Sequence, residues 1–436
     1  MMELQFDRLH DALDRHSMIE HSGRVTDVTG IIVEANGPNA HIGDLCVIES
    51  GEGQKLMAEV VGFRETHVIL SPLGEMQSIR AGCKVRATAS VLKAPFGPGV
   101  LGRVLDGLGN PVDGLGPLHN IDFAPVFNTP PNPIERRVID SPLPTGVRAI
   151  DGLLTLGEGQ RVGIFAGSGV GKSTLLGMIA RNASADVNVI ALVGERGREV
   201  REFLKYDLGE EGLKRSVVVC ATSEQPAVVR VKAAMLATAI AEGFRDEGKK
   251  VLLMMDSVTR FAMAQREIGL AVGEPPSTKG YTPSVFALLP KLMERAGMGK
   301  EGSITALYTV LVEGDDTNEP IADATRSILD GHIVLSRRLT SRGHYPPIDV
   351  RESLSRTMPL VVPQAQVTTA NAFRELLSAY SDIEDLVSIG AYKPGSKPVA
   401  DRALERKEVM DRFLRQDKAE ASSFDVTCAQ LNEAVA

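Results

Sequence analysis

Residues 161–174 read Arg161-Val-Gly-Ile-Phe-Ala-Gly-Ser-Gly-Val-Gly-Lys-Ser-Thr174, and this stretch decides the fold. Arg161–Phe165 predicts a buried strand, and a helix is predicted over Lys172–Arg181. Between them Ala166, Gly167, Ser168, Gly169, Val170, Gly171, Lys172, Ser173 and Thr174 form a glycine-rich turn that opens directly into the helix. Glycines let successive backbone N–H groups converge on phosphate oxygens, and the helix start adds its partial positive charge. Lys172 is then placed to reach the β- and γ-phosphates, and the Ser173 hydroxyl to bind Mg²⁺. A glycine turn with no nucleotide is the competing reading, and the flanking strand and helix oppose it. Ala166 stands where the strict pattern has glycine; its methyl fits if its φ is negative.

Strand–helix alternation continues downstream. Strands are predicted at Val187–Val193, Val217–Ala221, Val251–Met255 and Ile304–Leu311, with helices from about Glu199 and over Pro226–Arg245. This predicts an α/β fold with a parallel sheet covered on both faces. The strand Lys250–Asp256 ends in an acid, which such a sheet delivers to the edge where the phosphate loop lies. Alone the acid also reads as a helix cap; with the phosphate loop upstream, Asp256 is assigned to Mg²⁺ through water. The strand Val187–Val193 runs into Gly194-Glu195-Arg196-Gly197-Arg198-Glu199. Glu195 there suits a carboxylate that orients an attacking water. A solvated charge cluster opening the next helix, with Glu199 favourable in its first turn, explains the same residues equally well.

Upstream, from Gly23 to about Ala94, short β-rich runs (Arg24–Val28, Gly30–Val33, Leu45–Ile48, Ala58–Val61, His67–Leu70, Lys84–Ala87) alternate with turn residues and predict a small barrel or sandwich. The Gly- and Pro-dense stretch 94–144 reads as a linker wrapping its neighbours. After Pro363 two amphipathic helices are expected, near Ala372–Ile389 and Asp401–Gln416, flanking a turn at Lys393–Pro398. Leu4, Leu9 and Leu13 suggest a short helix that docks on its own domain or on a partner. At 436 residues, and about 150 per domain, some three domains are expected.

Composition narrows the function. The net charge of −8 offers no basic surface for a nucleic-acid backbone, and 4% aromatic residues leave few rings for stacking bases. Cys46, Cys83, Cys220 and Cys428 form no CxxC pair, and are expected as reduced, buried thiols. The eight histidines have no i, i+4 pairing, so no metal is assigned to them. The charged N-terminus is no secretory signal, and no apolar run reaches the ~18 residues needed to span a bilayer.

The phrases Gly194-Glu-Arg-Gly-Arg-Glu-Val-Arg-Glu-Phe203, Asp256–Gly297 and Ile304–Leu339 resemble the type III secretion ATPases, relatives of the catalytic subunits of rotary ATP synthases. The resemblance spans nearly the whole chain. GSGVGKS, Ala262–Gln265 and Gly280–Pro283 are more similar to the flagellar branch than to the injectisome branch. The resemblance implies an N-terminal partner-binding helix (1–20), a β-barrel domain (21–94), a RecA-like P-loop ATPase domain (95–363) and a C-terminal helical domain (364–436), assembled as a homo-hexamer. It makes Glu195 the water-activating carboxylate, with Arg196 beside it on the triphosphate. It places Arg356 as the arginine that a neighbouring subunit supplies, with Arg337 and Arg338 as rivals on spacing alone. It sets Tyr345 against adenine. It further implies a regulatory protein on the N-terminal segment, a central coiled-coil stalk protein, a membrane export gate, and export substrates with their chaperones. The expected location is cytoplasmic, at the inner face of the cytoplasmic membrane through partners. A rotary synthase or ion-pump subunit, an RNA translocase of the transcription-terminator type and a non-catalytic nucleotide holder are the alternatives. The core motifs and short C-terminal region oppose the first, the acidic balance opposes the second and Glu195 the third. The absence of an NKxD signature favours ATP over GTP.

Overall fold

The computed structural model describes residues 22–50, 53–312 and 319–436. The helix expected over 1–20 lies outside them. The first unit contains a closed antiparallel barrel of six strands: β1 (Ser22–Thr29), β2 (Ile32–Ala35), β3 (Asp44–Glu49), β4 (Lys55–Arg64), β5 (His67–Pro72) and β6 (Lys84–Val91). Their order around the barrel is β1-β2-β5-β4-β3-β6, and each of the six predicted β-runs overlaps one strand. Inward side chains, Val25, Val33, Ile48, Val60, Leu70 and Val85 among them, fill its core. Closure leaves no free strand edge to pair with another chain.

The second unit begins with β7 (Lys93–Phe96), β8 (Val104–Asp106) and β9 (Asp122–Pro125). These come from the stretch expected as a linker, and correct that reading. β7 and β9 pair into a ribbon, and β8 becomes an edge strand of the main sheet. Strands of three or four residues between glycine turns are too short for alternation to register. The main sheet continues with β10 (Arg161–Ala166), β11 (Val187–Val193), β12 (Ser216–Ala221), β13 (Lys250–Asp256), β14 (Gly297–Met298), β15 (Ser303–Leu311), β16 (Gly331–Leu335) and β17 (Ile348–Ser355). Its order is β17-β16-β10-β15-β13-β11-β12-β8, with β14 on β15. Every pairing from β16 to β8 is parallel; β14 and β17 add antiparallel strands to a sheet expected to be parallel throughout.

The principal helices are α1 (Arg148–Leu153), α2 (Lys172–Asn182), α3 (Ala227–Asp246), α4 (Val258–Ala271), α5 (Pro283–Met293), α6 (Pro320–Ile328), α7 (Arg337–Ser341), α8 (Gln364–Ser388), α9 (Pro398–Leu414) and α10 (Phe424–Val435). α8 and α9 are the two expected C-terminal helices. α10 is a third that was not expected, although Ser423 caps it by accepting from Val426 N at 3.4 Å. Sheet residues such as Ile164, Met254 and Leu307 share one continuous core with Phe373, Met410 and Leu431 of the C-terminal helices. Arg148 of α1 ties the two layers together. Its Nε donates to Phe413 O at 3.1 Å, its guanidinium meets Glu420, and its backbone N donates to Gln416 Oε1 at 2.8 Å. No described helix is long and apolar enough to cross a membrane. All four cysteines are free, Cys46 and Cys83 buried and the other two half-buried.

A buried ion pair locks α3 to the segment after α5. Arg295 donates to both Glu242 oxygens, at 3.0 and 2.6 Å, and to Val126 O at 3.0 Å. Both side chains are nearly inaccessible, at 3% and 2%. Glu242→Ala leaves a buried guanidinium without its carboxylate, and should cost about 3–5 kcal/mol, read as a drop in denaturation midpoint. The double replacement Glu242→Leu with Arg295→Met should cost less than Glu242→Ala alone.

Candidate nucleotide site

A parallel sheet brings the carboxyl ends of its strands to one edge, and the candidate site lies there. Ala166 closes β10 and is not among the residues with positive φ, so its methyl replaces glycine without strain. Gly169 (φ +76°) and Gly171 (φ +98°) make the left-handed turns that other residues resist. α2 then starts at Lys172. Gly177 lets this helix approach the chain closely, since a Cβ there would lie 2.6 Å from Asp207 O.

Lys172 Nζ lies between two carboxylates: it contacts Asp256 Oδ1 and is 3.4 Å from Glu195 Oε1. Asp256 ends β13 and is held from β15 by the Thr309 hydroxyl, which donates to its Oδ1 at 2.7 Å. Burial disfavours the Lys172 charge, but Asp256 and Glu195 outweigh it and hold the ammonium above its ordinary value. Burial pushes the Glu195 carboxyl up from its ordinary range; Lys172 and Arg260 pull it down, while Glu199 adds to the rise. A cleft of about 650 Å³ opens here, lined by Gly167–Gly169, Gly171–Thr174, Glu195 and Arg196. Arg196 is largely exposed and lies 3.5 Å from Glu199. The sequence reading overlooked Arg260 of α4, which lines the cleft, and Thr309. Both lie inside phrases that carry the family resemblance, but their residue types alone do not mark them: Arg260 is one arginine on an amphipathic helix, and Thr309 one hydroxyl in an apolar strand.

A second cavity, about 480 Å³, shares Gly171 and Thr174 with the phosphate cleft and extends to Tyr345, Pro346, Pro347 and Gln416. The Tyr345 side chain is half exposed. Its carbonyl accepts from Gln416 N at 2.9 Å, so the C-terminal layer helps place this loop. Nothing around Gln416 in the sequence marked it. Ser173 and Asp256 present a hydroxyl and a carboxylate beside the phosphate loop. Two hard oxygen donors of this kind, completed by phosphate oxygens and water, suit Mg²⁺.

Arg356 lies elsewhere. It follows β17, its backbone N donates to Asp330 O at 3.0 Å, and Asp330 pairs with Arg161 at the start of β10. The phosphate loop follows the other end of that six-residue strand, roughly 17–20 Å away at ~3.3 Å per residue. Within one chain Arg356 and the phosphate loop therefore occupy opposite edges of the sheet. Arg337, its rival on spacing, lines the chain's own phosphate cleft, whereas Arg338 turns away to Glu384.

Known protein families match the chain along most of its length. Residues 25–89, 146–355 and 362–433 match the ATP synthase alpha/beta family β-barrel domain, that family's nucleotide-binding domain and the T3SS EscN ATPase C-terminal domain, respectively. The Flagellum-specific ATP synthase of Bacillus subtilis (strain 168) is 53% identical over 425 residues, 97% of each chain. The chain belongs to the family of flagellar and type III secretion ATPases. The Type 3 secretion system ATPase of Xanthomonas euvesicatoria is 52% identical over 406 residues, 93% of this chain and 92% of that one. Among solved structures, the assembled ATPase EscN in complex with its central stalk EscO, from the enteropathogenic E. coli type III secretion system, matches with a TM-score of 0.88 at 46% identity. It covers 95% of this chain and 100% of that one. The architecture expected from the resemblance, barrel, nucleotide-binding core and helical C-terminal region, is that of this secretion ATPase family.

A folded-state value raised by burial means that Glu195 contributes most to stability below its unfolded value of about 4.3, and loses that contribution as pH rises through its folded value. The nucleotide-free chain should therefore fall in melting temperature relative to Glu195→Gln as pH rises from 4.5 to 7. A constant difference between the two would contradict the burial assigned to this carboxyl.

Proposed function

We propose that this secretion ATPase hydrolyses ATP at sites formed between subunits of a hexameric ring, and that hydrolysis energises export of flagellar proteins. One observation carries the reading: Lys172, Asp256 and Glu195 meet at the carboxyl edge of the sheet, beside a glycine-rich anion loop. The backbone N–H groups of Gly167–Lys172 bind the phosphates, and the Lys172 ammonium balances charge on the β- and γ-groups. Bound Mg²⁺, held by Ser173 and through water by Asp256, would neutralise charge on the phosphate oxygens. Glu195 orients the water that attacks the γ-phosphorus in line, as the bond to the β–γ bridging oxygen breaks. Arg196 lies at the mouth of the cleft, beside the triphosphate. Tyr345 offers its half-exposed ring to adenine.

Arg356 cannot serve its own phosphate loop from the opposite sheet edge, which supports its acting on a neighbour's. A guanidinium there neutralises charge developing on the transferred group, an effect worth about 10³–10⁵ in rate. The relative solved with its central stalk EscO supports an assembled ring around a stalk. Relatives of both branches match at similar identity; the GSGVGKS, Ala262–Gln265 and Gly280–Pro283 wording supports the flagellar one. We also propose the boundaries 1–20, 21–94, 95–363 and 364–436, with the first segment binding a regulatory protein. The remaining partners are an export gate and chaperoned substrates, which would hold the cytoplasmic ATPase at the membrane.

Two measurements test this reading. Specific ATPase activity should rise with protein concentration as the ring assembles; a flat value across the assembly range contradicts a shared site. Tyr345→Ala should raise KM for ATP about tenfold with kcat within about threefold, as expected for a lost stacking contact of 1–3 kcal/mol. An unchanged KM removes Tyr345 from the site.

A further inference from the structure

The short helix α7 reaches the phosphate cleft, the phosphate loop and the Tyr345 loop. Arg337 lines the phosphate cleft. On the same turn, the Thr340 hydroxyl donates to Val170 O of the phosphate loop at 3.4 Å. His344 N donates to Leu339 O at 3.0 Å, so α7 runs directly into the Tyr345 loop. Arg338 and Arg342 are four residues apart, share one face, and both reach Glu384 of α8, each at 2.5 Å. Arg337 lies one position round the helix from Arg338, so α7 and the Arg342 that ends it present one arginine to the phosphate cleft and two to the C-terminal helices.

We propose that Glu384 is a positioning residue: by gripping Arg338 and Arg342 it sets α7, and with it Arg337, against the triphosphate. The C-terminal helical layer and the phosphate cleft then shift together. The strength of the contact suits this role. Arg338 and Arg342 are about half exposed, at 57% and 50%, and Glu384 is 22% exposed. Such pairs shift an equilibrium by at most about fivefold each, so they can open and close during turnover. The buried Glu242–Arg295 pair, by contrast, is a fixed staple. Burial would raise the Glu384 carboxyl, but Arg342 and Arg338 together hold it below its ordinary value. The inference rests on the ATPase reading above.

The test is a double-mutant cycle on the full-length chain at assembling concentration, comparing the parent, Glu384→Ala, Arg337→Ala and the double variant. Glu384→Ala should lower kcat by about three- to tenfold, with the melting temperature held to within a few degrees. In the Arg337→Ala background it should lower kcat no further. Multiplying effects would show that Glu384 does not act through Arg337, and parent-like turnover in Glu384→Ala would show that it does not act at all; either overturns the proposal. If Glu384→Ala loses thermal stability, the charge swap Glu384→Arg with Arg338→Glu and Arg342→Glu decides: recovered turnover supports positioning, and turnover no better than the single variant overturns it. A parent chain with no ATP turnover contradicts the ATPase reading itself, and this inference with it.

Discussion

An ammonium group buried between two carboxylates organises this molecule. Burial works against the Lys172 charge, Asp256 and Glu195 more than offset it, and neither carboxylate could be brought there by local sequence. β13 delivers Asp256, the turn after β11 delivers Glu195, and β10 leads into the loop that carries Lys172. Only a sheet whose strands run in the same direction puts these three ends on one edge. The parallel pairings that achieve this, β10 with β15, β15 with β13 and β13 with β11, bury both faces and demand helical cover. A triphosphate at the loop would take over the partnership with Lys172 and release the two carboxylates for metal and water.

Local chemistry made part of this legible in advance. The phosphate loop, the strand ending in Asp256 and the six barrel strands announce themselves through glycine spacing, apolar runs and alternation. What stayed hidden depends on partners far away in sequence. β8 and β17 are edge strands recognisable only by what they pair with. Thr309 is an ordinary strand threonine until β13 lies beside it, and Gln416 gains its role from the Tyr345 carbonyl and Arg148. α10 is a different case: its Ser423 cap was visible, but twelve residues give only a weak periodic signal. Glu195 was ambiguous because a carboxylate that opens a helix and one that faces a phosphate look alike until the cleft is built.

The same geometry that assembles the phosphate cleft leaves Arg356 outside it. Arg356 stands at the sheet edge away from the phosphate loop, so each chain carries a phosphate-binding edge and an arginine edge that do not meet. Head-to-tail packing brings unlike edges together and, if the rotation closes, yields a ring with one site per interface. In that arrangement α7 has a mechanical meaning. It lies between the cleft and the helices of the C-terminal layer, where Glu384 holds it through two exposed ion pairs.

The claim that catalysis is shared between subunits is tested most directly by mixing two dead proteins. Lys172→Ala lacks the phosphate-binding cation but keeps Arg356, and Arg356→Ala has the reverse defect. Mixed in equal amounts and allowed to assemble at random, about a quarter of the interfaces should unite an intact phosphate loop with an intact arginine. The account predicts that the mixture hydrolyses ATP at up to that share of the parent rate, although each variant alone is inactive. A mixture as inactive as its components, assembled into rings of normal size, would contradict it.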